Sequence, residues 1–90
     1  MGITAVHMKL MPSTPEANLS LINEKAGNIV NSFHKTQIKM EEEPIAFGLK
    51  AIHLYFSWND EIDTERLEAE LQKIEEVSSV ETLDIRKAFG

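Results

Sequence analysis

The segment Leu49–Trp58 alternates apolar and polar side chains over most of its length. A β-strand places successive side chains on opposite faces of a sheet, so this alternation sorts the segment into two faces. One face carries Ile52, Leu54, Phe56 and Trp58, and the other carries Ala51, His53, Tyr55 and Ser57. The pattern predicts a strand that is buried on one face, and its large apolar residues favour a central place in the sheet.

Three further segments show strand patterns. Ile3–Met11 alternates in the same way and predicts the first strand. Its apolar face carries Val6, Met8 and Leu10, and its other face carries Ala5, His7, Lys9 and Met11. Thr36–Glu43 also alternates, and its dense charges are typical of an edge strand that resists unwanted pairing. Val80–Ile85 is rich in β-branched residues and predicts the fourth strand, followed by a short tail, Arg86–Gly90.

Two segments with helical spacing separate these strands. Leu19–Phe33 carries one apolar stripe and follows Asn18, a residue type that caps helices. A second helix is predicted over Thr64–Glu76, with Asp63 and Thr64 as candidate caps. The order is β-α-β-β-α-β, which predicts a ferredoxin-like α/β plait: a four-stranded antiparallel sheet with both helices on one face. Ninety residues suffice for one such domain, so we expect residues 1–90 to form a single unit.

Composition restricts the function. The chain has 9 basic and 15 acidic side chains, a net charge of −6, which disfavours DNA or RNA as the main ligand. It has no cysteine, no apolar run of the length that a membrane helix needs and no basic start typical of a signal peptide. We therefore expect a cytoplasmic protein that does not bind membranes and is a monomer in the free state.

No catalytic motif is visible. The serines lie outside any nucleophile elbow, and the four glycines are too scattered for a phosphate-binding loop, so we expect no enzyme activity and no cofactor. The predicted open face of the sheet carries His7, His53 and Tyr55. The two histidines can form a pair there, but no third ligand is predicted, so solvated surface histidines are the favoured interpretation. A stand-alone domain that binds a metal or small ligand on this face is the alternative hypothesis.

The most unusual segment runs from Met40 to Lys50. A triple carboxylate, Glu41 to Glu43, leads into a proline turn that holds Ile45 and Phe47. Phe47 either folds back as a lid on the core or is presented by a rigid loop as an aromatic anchor, a common form of binding hot spot. The physics of the sequence leaves both interpretations open.

This segment resembles the guanine-nucleotide-exchange domain of archaeal translation elongation factor 1-beta. The resemblance extends from Lys9-Leu10-Met11-Pro12 through Glu-Glu-Glu-Pro-Ile-Ala-Phe-Gly-Leu-Lys-Ala at positions 41 to 51 to Val-Glu-Thr-Leu-Asp-Ile-Arg at positions 80 to 86. It implies the same plait fold. It also implies a function: release of GDP from elongation factor 1-alpha, the GTPase that delivers aminoacyl-tRNA, so that GTP can rebind.

The resemblance also implies a partner-binding set, which consists of Pro44, Ile45, Phe47, Gly48, Lys50, Arg86 and Lys87. In the eukaryotic relatives an aromatic residue of the Pro-Ile-x-Phe-Gly motif enters the GTPase, and that residue corresponds to Phe47 here. A near-terminal lysine is thought to disturb the magnesium and phosphate site of the GTPase. The relatives place that lysine next to last, whereas this chain ends Lys87-Ala88-Phe89-Gly90, so Lys87 and Arg86 are both candidates.

Overall fold

The computed structural model describes the backbone of residues 3–59 and 63–89 and the side chains of residues 4–59 and 63–86. Its elements are β1 (Ile3–Pro12), α1 (Leu19–Phe33), β2 (Ile38–Pro44), a 3₁₀ turn (Ala46–Gly48), β3 (Lys50–Asn59), α2 (Thr64–Gln72) and β4 (Val77–Phe89). The sheet order is β2-β3-β1-β4, and every neighbouring pair is antiparallel. The predicted plait is therefore confirmed, with β2 at one edge and β1 and β3 in the centre.

Both helices cover the sheet face that the alternation predicted. Met8, Leu10, Ile52 and Leu54 have no exposed surface, and they belong to one apolar cluster shared by the strands and helices. The helices contribute Ile22, Ala26, Val30, Leu67 and Leu71 to this cluster. Burial of these apolar side chains is the main source of stability. The chain has no cysteine, so no disulfide adds to it.

Both helices begin at the residues that the sequence predicted. The side chain of Asn18 accepts a hydrogen bond from the N–H of Leu21 (3.1 Å), and that of Asp63 accepts one from the N–H of Glu65 (2.9 Å). These bonds satisfy backbone donors that have no partner within the helix. Neither described helix has the length and apolar character needed to cross a bilayer.

The predicted end of α2 at Glu76 is wrong. The helix ends at Gln72, and the next N–H groups make shorter-range bonds, such as that of Ile74 to the C=O of Leu71 (3.1 Å). Glu76 then adopts a left-handed backbone with φ 74°, and its C=O accepts a hydrogen bond from the N–H of Ser13 (2.8 Å). A contact 63 residues away in sequence thus ends the helix before its apolar pattern does.

The fourth strand is longer than predicted at both ends. It covers Val77–Phe89 instead of Val80–Ile85, because β1 offers pairing partners from Pro12 opposite Val77 to Ile3 opposite Phe89. Unpaired N–H and C=O groups inside a sheet are costly, so the ladder continues along β1. The predicted tail is therefore largely strand, and Gly90 lies outside the described residues.

The second strand is shifted relative to its prediction. It begins at Ile38, since the N–H of Thr36 donates to the side chain of Asn31 (2.9 Å) instead of joining the ladder. It ends with Pro44 paired to Lys50, and the predicted break follows as the turn.

Candidate functional site

The loop between β2 and β3 is closed by two backbone hydrogen bonds. The N–H of Ile45 donates to the C=O of Leu49 (2.8 Å), and the N–H of Leu49 donates to the C=O of Ala46 (3.3 Å). These bonds hold the chain in a compact turn with Phe47 near its tip. The side chain at that position is therefore presented by a fixed backbone rather than by a flexible tether.

Phe47 is 92% exposed. Its backbone has φ 64° and ψ 28°, a left-handed conformation that is uncommon for a bulky aromatic residue. Such a conformation costs about 1–2 kcal/mol and persists only where the surrounding structure holds it. The exposure rules out the interpretation of Phe47 as a lid on the core. A strained backbone that displays an apolar ring to solvent is typical of a binding site.

Gly48 continues the left-handed turn with φ +77°. A Cβ atom at this position would lie 3.6 Å from the Cβ of Pro15, which is an ordinary contact, so the backbone angle is what requires glycine. The same distance shows that the β1–α1 connection lies against the loop.

Gly48→Ala is expected to lower the free energy of unfolding by about 1 kcal/mol, because alanine disfavours a positive φ. Gly27→Ala is the matched control. Gly27 lies inside α1, and its new Cβ would meet only the Met40 Cε at 3.7 Å, so that variant should gain about 0.4–1 kcal/mol. Chemical denaturation of both variants checks the pair. Equal effects of the same sign would contradict the backbone assignment at Gly48.

Hydrogen bonds tie the connections at this end of the sheet together. The C=O of Glu76 accepts bonds from the N–H (2.8 Å) and hydroxyl (3.2 Å) of Ser13, and its carboxylate accepts one from the N–H of Asn18 (3.3 Å). The Ser78 hydroxyl donates to the C=O of Met11 (3.1 Å). The β1–α1 connection is thereby fixed to the α2–β4 connection, and it supports the Phe47 loop.

The triple carboxylate before the loop has basic neighbours. Glu41, Glu42 and Glu43 are about half exposed, and each lies within 4.0 Å of a basic side chain. Their partners are Lys39 for Glu41 (3.4 Å), Lys50 for Glu42 (4.0 Å) and His53 for Glu43 (2.8 Å). The contact of Lys50 is long and exposed, so this predicted partner-binding lysine is weakly held.

The predicted partner-binding residues do not form one cluster. Pro44 to Lys50 lie at one end of the sheet, whereas Arg86 and Lys87 pair with Ala5 and Thr4 near the other end. The ladder between these levels corresponds to roughly 20 Å along the strands. The Arg86 Nε lies 2.8 Å from the Asp84 Oδ2, and the side chain of Lys87 lies outside the described residues.

A hydrogen-bonded chain of three side chains crosses the open face of the sheet. The His7 Nε2 lies 2.7 Å from the His53 Nδ1, and the His53 Nε2 lies 2.8 Å from the Glu43 Oε1. Tyr55 stacks on His7 with a centroid distance of 4.2 Å. The side chain of His53 is only 13% exposed, so the prediction of solvated surface histidines is wrong for this pair. We call Glu43, His53 and His7 the histidine relay.

The relay shifts the pKa values of two of its members. Burial, assisted by the charge of His53, lowers the pKa of His7, against the opposing effect of Asp84 and Glu41. The hydrogen bond from His53 lowers the pKa of Glu43. Each of these two side chains, His7 and Glu43, therefore binds a proton less readily in the folded chain than in the unfolded chain. Neutral His7 therefore contributes to the free energy of unfolding at pH values above its unfolded pKa of 6.5. This contribution is lost as the pH falls through the lower pKa of His7 in the folded chain.

Residues 5–88 match a family model described as the EF-1 guanine nucleotide exchange domain. The match covers nearly all of the sheet and both helices, including the Phe47 loop. The chain belongs to the EF-1 guanine nucleotide exchange domain family.

The chain is also similar to proteins that it matches over nearly their whole length. Elongation factor 1-beta of Methanobrevibacter smithii is 38% identical over 91 residues, covering 97% of this chain and 98% of that protein. Elongation factor 1-beta of Methanocaldococcus jannaschii is 34% identical over 89 residues, covering 98% of this chain and 100% of that protein. The resemblance to archaeal elongation factor 1-beta that the sequence motifs suggested is confirmed.

The sequence of this exchange domain predicted the Phe47 loop but not the complete relay. Alternation placed His7 and His53 on one face, which allowed their pairing. The role of Glu43 was missed, because it depends on the register between β2 and β3, in which Glu43 lies opposite Ala51. The spacing along β2 could have indicated Glu43. Glu41 is the ladder partner of His53, and Glu43, two residues further on, lies on the same face of the sheet as Glu41.

The exchange domain is expected to show no Zn²⁺ site of micromolar or better affinity. Two histidine nitrogens that are hydrogen-bonded to each other form an incomplete shell, and no three potential ligands converge to hold a metal within the described residues. Calorimetric titration with Zn²⁺ checks this, with His7→Ala as the control. A tight one-to-one isotherm that His7→Ala abolishes would instead support the alternative hypothesis of a metal-binding domain.

Proposed function

We propose that this chain is a guanine-nucleotide-exchange factor for elongation factor 1-alpha. It promotes release of GDP from that GTPase so that GTP can rebind and aminoacyl-tRNA delivery can continue. The family match and the elongation factor 1-beta relatives support the exchange role. The observation that carries the proposal is the exposed ring of Phe47, displayed by a hydrogen-bonded loop backbone in the segment that the family motif defines.

An exchange factor needs no nucleophile and no nucleotide site of its own. It needs a surface that binds the GTPase better without nucleotide than with it. Linkage requires that the chain weakens nucleotide binding by the same factor by which nucleotide weakens binding of the chain. A thousandfold effect corresponds to about 4 kcal/mol of coupling free energy.

The ring of Phe47 has the apolar area to supply a contribution of this size. An aromatic side chain buries about 150–250 Å², and each Å² contributes about 25 cal/mol, which gives roughly 4–6 kcal/mol for complete burial. Because the ring is exposed in the free chain, its insertion into the GTPase sacrifices little packing within the domain. The fixed loop also lowers the ordering cost of binding.

The cations on β4 have a separate role in the proposal. Arg86 and Lys87 are at the opposite end of the sheet from Phe47, so the GTPase contacts this domain along its 42 Å long axis. One end holds the GTPase through an apolar anchor. The other end brings a cation toward the magnesium and phosphate site, where it competes with Mg²⁺ electrostatically.

The proposal also includes a compartment and an oligomeric state. The chain acts in the cytoplasm and is a monomer until it meets the GTPase.

Release of labelled GDP from elongation factor 1-alpha tests the proposal. The GTPase is loaded with labelled GDP and mixed with excess unlabelled GTP and a substoichiometric amount of this chain. A catalytic exchange factor turns over, so release should be accelerated on every GTPase molecule present. Release that is unchanged, or that saturates at the amount of added chain, would overturn the proposal.

A further inference from the structure

A trough crosses the open face of the sheet at the end away from Phe47. Its floor contains Ala5 on β1 and Ser57 on β3, which are ladder partners with small, exposed side chains. The cavity has a volume of about 770 Å³, within the size range of ligand-binding pockets. We call this cavity the open-face trough. Among the described residues, none from the Phe47 loop lines it.

One side of the open-face trough is a row of larger side chains that hold one another in place. Lys39, Tyr55 and His7 lie on consecutive strands, because Tyr55 is the ladder partner of both others. The rings of Tyr55 and His7 stack with centroids 4.2 Å apart, and the Lys39 Nζ lies 5.8 Å from the centroid of the Tyr55 ring. At the β2 end, the N–H of Thr36 donates to the side chain of Asn31 (2.9 Å). The trough is therefore largely formed in the free chain.

The charges that line the open-face trough have the opposite sign to the charge of the whole chain. Two cations, Lys39 and Arg86, and one carboxylate, Asp84, give a charge of +1, whereas the chain carries −6 with its histidines neutral. Lys39 pairs with Glu41 at 3.4 Å, but both side chains are at least half exposed, so the pair is weak. Arg86 contacts Asp84 through its Nε (2.8 Å), and this pair does not use the four N–H groups on its terminal nitrogens. Both cations can therefore bind further carboxylates.

The positions of the two cations define the shape of the ligand. Lys39 lies on β2 and Arg86 on β4, the two edge strands, so three strand spacings separate them. At about 4.8 Å per spacing, this separation is roughly 14 Å across the sheet. An extended peptide advances about 3.3 Å per residue, so about five residues span the trough. Such a segment brings one carboxylate to each cation.

We propose that the open-face trough binds an acidic, extended segment of elongation factor 1-alpha as a second contact beside the Phe47 anchor. The inference rests on the proposed exchange function for the identity of the partner. The trough lies at the end of the sheet where the β4 cations are proposed to meet the GTPase, so one partner reaches both features. Arg86 then binds the segment, and Lys87 is the cation that approaches the magnesium and phosphate site.

A second contact fixes the orientation of the complex. The Phe47 loop and the open-face trough are separated by roughly 20 Å along the strands, so together they determine the angle at which the domain meets the GTPase. Charge pairs at an interface steer association and fix register more than they add affinity. The trough therefore aligns the β4 end of the domain while Phe47 holds the other end.

Filling the open-face trough tests the contact without changing its charges. Ser57→Trp places a bulky ring on the floor at an exposed strand position, which suits an aromatic residue. We expect the dissociation constant for nucleotide-free elongation factor 1-alpha to rise by about tenfold or more, with an unchanged midpoint of chemical denaturation. Ser32→Trp, at an exposed position of α1 in the helix layer, is the matched control and should bind like the wild-type chain. Equal losses in both variants would overturn the proposal.

Charge reversal tests the chemistry of the bound segment. Lys39→Glu should weaken the complex by about fivefold or more at low ionic strength and much less at about 0.5 M salt, because salt screens exposed charges. Lys25→Glu makes the same change in net charge on the exposed side of α1 and should have little effect. A loss that is independent of salt, or one of the same size in Lys25→Glu, would contradict an acidic ligand. If Ser57→Trp does not fold, Lys39→Glu still tests the trough.

Cross-linking identifies the segment directly. The chain has no cysteine, so Ala5→Cys carries a photoreactive label at a single position on the trough floor. Irradiation of the complex should join this label to an acidic segment of elongation factor 1-alpha, which mass spectrometry then identifies. A product that joins two copies of this chain, or a linked GTPase peptide without acidic residues, would overturn the proposal.

GDP release, measured on the same variants, separates the two proposals. Trough variants that bind and exchange like an active wild-type chain would overturn the trough and leave the exchange function standing. A wild-type chain that cross-links to the GTPase through the trough but does not accelerate GDP release would uphold the trough and overturn the exchange function. A wild-type chain that does not bind the GTPase would overturn both.

Discussion

Phe47→Ala is expected to slow GDP release from elongation factor 1-alpha by about 30-fold or more while the free energy of unfolding changes by less than about 0.5 kcal/mol. The ring is 92% exposed, so its removal takes little packing from the free domain. Alanine keeps the left-handed strain at this position, so the strain does not enter the comparison. GDP release and chemical denaturation, measured on the same preparation, check both halves.

Leu83→Ala is the matched control for this variant. Leu83 is also an exposed apolar side chain, on β4, and its truncation should alter neither exchange nor stability strongly. A Phe47→Ala chain that is folded, stable and fully active would contradict the role of the ring as an anchor. A loss of about 3–5 kcal/mol in stability would mean that the ring belongs to the core after all.

Leu54→Ala is expected to lower the free energy of unfolding by about 2–5 kcal/mol. Leu54 has no exposed surface and lies in the middle of β3, under the helices. Its truncation leaves a cavity that close-packed neighbours fill only in part. Denaturant titration measures the loss.

The same Leu83→Ala chain serves as the control for burial, because it makes the identical change on an exposed strand position. It should cost less than about 1 kcal/mol. A larger cost at Leu83 than at Leu54 would show that the strand faces are misassigned, since a slip of one residue exchanges the two faces of every strand.

The fold was predictable where a local pattern decided it. Alternation fixed the buried faces of β1 and β3, and Asn18 and Asp63 marked the helix starts because capping involves only neighbouring residues. The end of α2 was not predictable, because Glu76 is held by Ser13 from the far side of the chain. The length of β4 was missed for the same reason: the partner strand sets it, while its own residue pattern does not.

The candidate site, like the fold, was predictable from the sequence only in part. The family motif predicted the position of the Phe47 loop, but neither the exposure of the ring nor its left-handed backbone follows from residue types alone. The open-face alternation brought His7 and His53 together. Their bond to each other and to Glu43 depends on strand register and side-chain packing, which local patterns do not encode.

The central claim is that this chain binds elongation factor 1-alpha in competition with its nucleotide. The most direct test is the dissociation constant of the complex, measured with nucleotide-free GTPase and again with GTPase saturated with GDP, at one fixed Mg²⁺ concentration. Linkage predicts that GDP weakens the complex by the same factor by which the chain weakens GDP binding, and a thousandfold change corresponds to about 4 kcal/mol. Equal dissociation constants in the two measurements would contradict the account, because a partner that binds both states equally cannot drive nucleotide release.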